Sequence, residues 1–188
     1  MDSIGNVFIN YLRTQMTKKV IIFIFMIVCA ATVVMLWRTI IKINQRQLSN
    51  EMLETVPNLD IKDTNGADIN LQLWSEGKSL VIFYFDSMCE HCNKEINDLK
   101  ANFPKLNGTK ILMLSSEDAD VVNNFNSESK LTDMIPNLMF ATISTKNARD
   151  NMGLDITPTI YVYNHKGVLV KKFIGQTDIK IVAASITQ

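Results

Sequence analysis

Ser79-Leu80-Val81-Ile82-Phe83-Tyr84-Phe85 runs directly into Asp86-Ser87-Met88-Cys89-Glu90-His91-Cys92-Asn93-Lys94-Glu95, and the junction between the two stretches decides how the chain folds. The first is short, β-branched and aromatic, bounded by Gly77-Lys78 and by Asp86-Ser87, which is the pattern of a strand buried on both faces. In the second, Cys92, Ile96, Leu99 and Phe103 fall at i, i+4, i+7 and i+11, one stripe of a helix. The two cysteines therefore sit at a strand-to-helix turn.

That position has chemical consequences. Unpaired backbone N–H groups and the macrodipole at a helix N-terminus stabilise an anion. A thiolate there forms below the free-thiol pKa of about 8.5, and the thiolate is the nucleophile. Cys89 is the expected attacking sulfur and Cys92, one turn into the helix and more buried, the resolving one. Glu90 and His91 act on Cys89 in opposite senses, since a carboxylate disfavours the thiolate and an imidazolium favours it. Glu95 lies three residues after Cys92 at the edge of the apolar stripe. It is either a carboxylate close to the buried sulfur or an exposed i,i+4 partner of His91.

Charge and cysteine content narrow the class of protein. The 188-residue chain has no net charge, but residues 51–188 hold 13 Lys and Arg against 18 Asp and Glu. A mildly acidic domain carries no footprint for nucleic acid. Of only three cysteines, Cys29 lies in an apolar segment far from the other two. A domain of this size folds on its hydrophobic core alone, so Cys89 and Cys92 are read as functional, not as a staple.

Val20–Trp37 is an 18-residue run without a charge, about 27 Å long as a helix and enough to cross a hydrocarbon core. It is read as a transmembrane helix contacting the lipid bilayer, after a juxtamembrane segment at 1–19 and before a tether at 38–54. Arg13, Lys18 and Lys19 on one side balance Arg38, Lys42 and Arg46 on the other, so charge alone does not orient it.

The domain at 55–188 reads as strands alternating with helices. A hairpin is expected around Asn65-Gly66, then a helical turn at 71–76 carrying Trp74. Strands follow at 79–85, 110–114 and 138–141. Helices are expected at 117–129, with Val121, Val122 and Phe125 on one face, and at 146–152, closed by Gly153. Thr159–Tyr163 and Val168–Ile174 form a terminal hairpin, and Thr177-Asp178 starts a last helix. The fold class is α/β, a mixed central sheet with helices on both faces.

Together, Cys-x-x-Cys at a strand-to-helix turn and Ile156-Thr157-Pro158-Thr159 ahead of a strand pair resemble a thioredoxin-like fold. The membrane helix, the N-terminal β-hairpin extension, the insertion between 117 and 153 and the Cys-Glu-x-Cys-x-x-Glu pattern resemble, more narrowly, the membrane-anchored TlpA/ResA group of thiol-disulfide oxidoreductases. The resemblance implies a nucleophilic Cys89, a resolving Cys92, a thiol-tuning Glu95, a cis Pro158 facing the site, and Thr157 as the residue that pairs with a substrate chain. An X-Pro bond is trans by default; the resemblance reverses that expectation for Pro158. Met88 stands where the family often has Trp, His91 where it often has Pro, and Phe83 where thioredoxin carries a buried Asp.

The implied function is reduction of protein disulfides outside the cytoplasm, on the periplasmic side of the cell membrane. A membrane electron donor would restore the dithiol, with no cofactor. Two other readings remain. A thiol peroxidase shares the fold, but its Thr-x-x-Cys signature would need Thr or Ser at Asp86. A copper- or zinc-binding module could use Cys89, His91 and Cys92, yet adjacent helical residues diverge and no metal is expected.

Overall fold

The computed structural model describes residues 26–27, 29–41 and 53–186. It divides into two units, Met1–Arg46 and Gln47–Gln188. In the first, 26–27 and 29–41 are helical, and Val33, Val34, Met35, Leu36, Trp37, Ile40 and Ile41 are exposed. Among the described residues, no helix is long and apolar enough to cross a membrane. The predicted span at 20–37 lies partly outside them, the segment at 1–19 wholly so, and most of the tether as well.

In the second unit, the elements in order are β1 (Ile61–Asp63), α1 (Leu71–Trp74), β2 (Leu80–Tyr84), α2 (Glu90–Asn102), a 3-10 turn (Phe103–Leu106), β3 (Lys110–Ser115), α3 (Ala119–Ser129), α4 (Leu131–Met134), β4 (Leu138–Ile143), α5 (Thr145–Met152), β5 (Thr159–Tyr163), β6 (Leu169–Ile174) and α6 (Ile179–Ile186). Six strands form one sheet in the order β1-β4-β3-β2-β5-β6. β2 runs parallel to β3 and antiparallel to β5, with Tyr84 opposite both Leu114 and Thr159. This is a thioredoxin-like α/β fold.

Every residue of β2 is buried, because the sheet is covered on both faces. Val81, Phe83 and Phe85 point into one core with Cys92, Ile96 and Leu99 of α2 and Val122 of α3. Leu80, Ile82 and Tyr84 point into the other, with Leu71, Ala148, Met152, Tyr161 and Tyr163. Phe85, Phe125 and Phe140 pack with ring centroids 5.2 to 6.4 Å apart and lock α3 onto the sheet. Leu53 is already buried in the second core, and the Glu54 carbonyl accepts the Leu169 N–H.

Three details depart from the sequence expectation. The N-terminal hairpin is reduced: β1 has three residues and pairs antiparallel with β4, and the return run meets it at the single bridge Lys62–Asp68. Asp63 caps that turn through the Asn65 and Ala67 N–H groups. Val121 is 41% exposed, while Val122 is fully buried; α3 starts at Ala119 and presents Val122 and Phe125, one turn apart, to the sheet. The insertion also holds an additional short helix, α4, which follows Lys130 in the left-handed conformation.

Candidate functional site

β2 and β3 are parallel neighbours, so the loops that leave them emerge at the same edge of the sheet. β5 is antiparallel to β2, so the loop that enters it lies at that edge as well. The topology therefore gathers Cys89 after β2, Glu117 after β3 and Thr157-Pro158 before β5, residues far apart in sequence.

Cys89 is the N-cap of α2, with extended backbone (φ −75°, ψ 116°), and its Sγ accepts the Cys92 backbone N–H at 3.4 Å. On the other side its thiol faces the Thr157 carbonyl at 3.9 Å, and the Thr157–Pro158 bond is cis. Burial raises the Cys89 pKa, but hydrogen bonds from Cys92, the Thr157 side chain and the His91 N–H outweigh it and leave the thiol more acidic than usual. Cys92 is buried in the core beneath α2, and that burial, reinforced by the neighbouring Cys89, pushes its thiol up to about 12. The pair is thus polarised into a half-exposed sulfur that ionises readily and a buried one that does not. Both are free thiols here.

The residues around them fall into place unevenly. Glu90 is exposed and bonded to Lys94 at 2.7 Å, one turn along the helix, and this pairing lowers its pKa. The His91 ring Nδ1 lies 3.1 Å from Gln176 Oε1. Glu95 is only 2% exposed, which overturns its reading as an exposed partner of His91. Its carboxylate accepts the Thr177 backbone N–H at 2.8 Å. Burial raises its pKa to about 7, with nearby Asp98 adding to the shift and the Thr177 bond opposing it. Met88 stands 88% exposed beside the nucleophile, and Ile156 is exposed beside Thr157. Pro158 is buried and its carbonyl accepts the Gly175 N–H at 2.8 Å.

Sequence reasoning missed the polar partners. Glu117 accepts hydrogen bonds from Ser87 and Ser115, Asn93 donates to the Ser87 carbonyl, and Asp98 accepts the Ile179 N–H at the start of α6. One signal was available: Ser115-Ser116-Glu117-Asp118 is a polar cluster at the C-terminal end of a buried strand, where open α/β sheets place their sites. Among the described residues, no group of three or more His, Cys, Asp or Glu is placed to hold a metal ion.

Residues 52–172 match the AhpC/TSA family, well over half of the chain. The chain belongs to the AhpC/TSA family. It is accordingly an oxidoreductase, with the Cys89/Cys92 pair at the strand-to-helix turn of the matched region. Among solved structures it is similar to a secreted Mycobacterium tuberculosis disulfide oxidoreductase homologous to E. coli DsbE, at 13% identity over 70% of this chain and 96% of that one, TM-score 0.56. It is also similar to StoA from Bacillus subtilis, at 20% identity over 70% and 100%, TM-score 0.52. A third neighbour is a thiol-disulfide isomerase from Corynebacterium glutamicum, at 17% identity over 71% and 96%, TM-score 0.56. At these identities the likeness establishes the thioredoxin-like fold. No curated protein matches the chain.

Proposed function

We propose that this AhpC/TSA-family protein is a membrane-tethered thiol-disulfide oxidoreductase of the TlpA/ResA type that reduces protein disulfides outside the cytoplasm. The observation that carries the reading is the polarised pair: Cys89 at the helix N-cap with a lowered pKa, and Cys92 buried with its pKa pushed to about 12.

The chemistry runs in two exchanges. The Cys89 thiolate attacks one sulfur of a target disulfide; a mixed disulfide forms and the other target sulfur leaves as a thiolate. Cys92 then loses its proton and attacks Cys89 Sγ, which breaks the mixed disulfide and releases the second target thiol. Two electrons pass to the target, and a Cys89–Cys92 disulfide remains. An extracytoplasmic compartment does not restore the dithiol by itself, so a membrane electron donor completes the cycle. Thr157, whose carbonyl faces Cys89 beside Pro158, is the residue that meets the substrate backbone. Tethering is supported by the uncharged run Val20–Trp37 and by the exposed apolar side chains of the helical residues 33–41, which suit a bilayer through residues 20–37.

The test is Cys92→Ala in the full-length chain. Target proteins should accumulate as mixed disulfides on Cys89, and their absence during substrate turnover would sink the mechanism.

A thiol peroxidase is the second reading, favoured by the family match. Against it, position 86 carries an aspartate whose Oδ1 accepts the Met88 N–H and whose carbonyl accepts the Cys89 N–H; no hydroxyl stands at that position. Fast peroxide consumption by the reduced protein would place this reading first.

A further inference from the structure

Ser87, two residues before the nucleophile, has all of its polar groups engaged. Its N–H donates to Glu117 Oε2 at 2.8 Å and its hydroxyl to Glu117 Oε1 at 2.6 Å. Its carbonyl accepts from Asn93 Nδ2 of α2 at 3.2 Å. Glu117 is held in turn by β3: the buried Ser115 hydroxyl donates to Oε2 at 3.0 Å and accepts the Glu117 N–H at 3.2 Å. A carboxylate with three donors makes charge-assisted bonds, stronger and more directional than neutral ones.

We propose that Glu117 is a positioning residue for Cys89: its carboxylate clamps Ser87 to the end of β3 and so fixes where the nucleophilic sulfur sits. The turn between Ser87 and α2 is tight. Asp86 accepts the Met88 N–H through Oδ1 at 2.8 Å and the Cys89 N–H through its carbonyl at 3.2 Å. Those bonds set the shape of the turn but do not attach it to the sheet. Glu117 attaches it to β3, and Asn93 ties it to α2. Cys89 needs this anchoring because a 3.4 Å contact from a backbone N–H to sulfur weakens with a small displacement of the cap. The Glu117 carboxylate bonds to Ser87 and Ser115 and to neither cysteine, so the residue acts through the loop.

The inference rests on the thiol-disulfide reading above, yet its test does not require a disulfide substrate. In the reduced full-length protein, the rate at which iodoacetamide modifies Cys89 is followed against pH by peptide mass mapping, together with the Cys89/Cys92 reduction potential. Glu117→Ala should move the Cys89 profile to higher pH by about one unit and slow its modification at neutral pH about tenfold, because the reacting species is the thiolate. Glu117→Gln should recover most of the loss, because its amide oxygen can accept the Ser87 and Ser115 donors while its NH2 meets the Ser87 hydroxyl. A folded Glu117→Ala protein with the wild-type profile and potential overturns the proposal. If that variant fails to fold, Ser87→Ala, which removes only the hydroxyl contact, is read instead: a smaller shift in the same direction supports the clamp, and an unchanged profile overturns it. A wild-type chain that reduces no protein disulfide would defeat the proposed function and leave this measurement standing.

Discussion

The buried carboxylate of Glu95 accepts the Thr177 backbone N–H at 2.8 Å, which joins the helix that carries the cysteines to the segment leading into the last helix. It is the middle of three such contacts. His91 meets Gln176 at 3.1 Å, and Asp98 Oδ2 accepts the Ile179 N–H at 2.8 Å. Gly175, at the head of the same segment, donates to the Pro158 carbonyl. Residues 175–179 thereby connect the proline loop on one side of Cys89 to successive turns of α2 on the other.

Glu95 makes stability depend on pH. Its folded pKa of about 7 lies above the ordinary value of 4.5, so between those two values the native state binds more protons than the unfolded one. Stability is then lost as pH rises through that window and levels off above it. Glu95→Gln keeps an acceptor for Thr177 without the ionisation. It should flatten the dependence and leave the protein more stable at pH 8, by on the order of 2 kcal/mol. Denaturant unfolding of both proteins across the window measures this; parallel curves would contradict it.

The thiols should separate by reactivity. At about pH 8, iodoacetamide should label Cys89 of the reduced protein well before Cys92, which is buried and has its pKa raised to about 12. Mass mapping of quenched time points reads the order, and equal labelling of the two in the folded protein would contradict the polarised pair.

Asp98 caps a helix other than its own. Asp98→Ala leaves the Ile179 N–H without its acceptor at the start of α6 and removes one of the two acceptors of Asn102 Nδ2, the carboxylate oxygen at 2.7 Å, while the Asp98 carbonyl at 3.2 Å remains. The cost expected is about 1 kcal/mol, read as a lower denaturation midpoint with unchanged slope. Asp98→Asn, which retains an acceptor, should recover part of it.

Adjacent valines on α3 should differ sharply. Val122 is fully buried in the first core, which also holds Phe85 and Phe140, and Val121 is exposed. Val122→Ala should cost roughly 2 kcal/mol through lost burial and a residual cavity, whereas Val121→Ala should fall within about 0.5 kcal/mol of wild type. Chemical denaturation of the two variants separates them.

Much of this architecture is legible in the chain. The short apolar run at 80–84, β-branched and aromatic between polar flanks, reads as a strand covered on both faces, and the stripe Cys92, Ile96, Leu99 and Phe103 reads as the buried side of a helix. Their junction places Cys89 at a helix N-terminus whatever the rest of the fold does. These readings hold because they rest on local periodicity and on the unpaired N–H groups every helix start possesses. Val121 and the N-terminal hairpin read less clearly: one residue of helix phase decides whether a valine is buried, and a three-residue strand is defined by its partner β4 more than by its own sequence.

The sequence by itself determined that the two cysteines sit at a strand-to-helix turn, which of them is the more buried, and that Thr157-Pro158 opens a strand. Only the tertiary structure decided what surrounds them: that Glu95 is buried and bonded to Thr177 and not exposed beside His91, that His91 turns to Gln176, and that Glu117 reaches Ser87 from the neighbouring strand. The reason is physical. Periodicity and helix-end electrostatics act over a few residues, whereas the partner of a carboxylate 30 or 82 positions away is set by which strands lie side by side and where their ends meet.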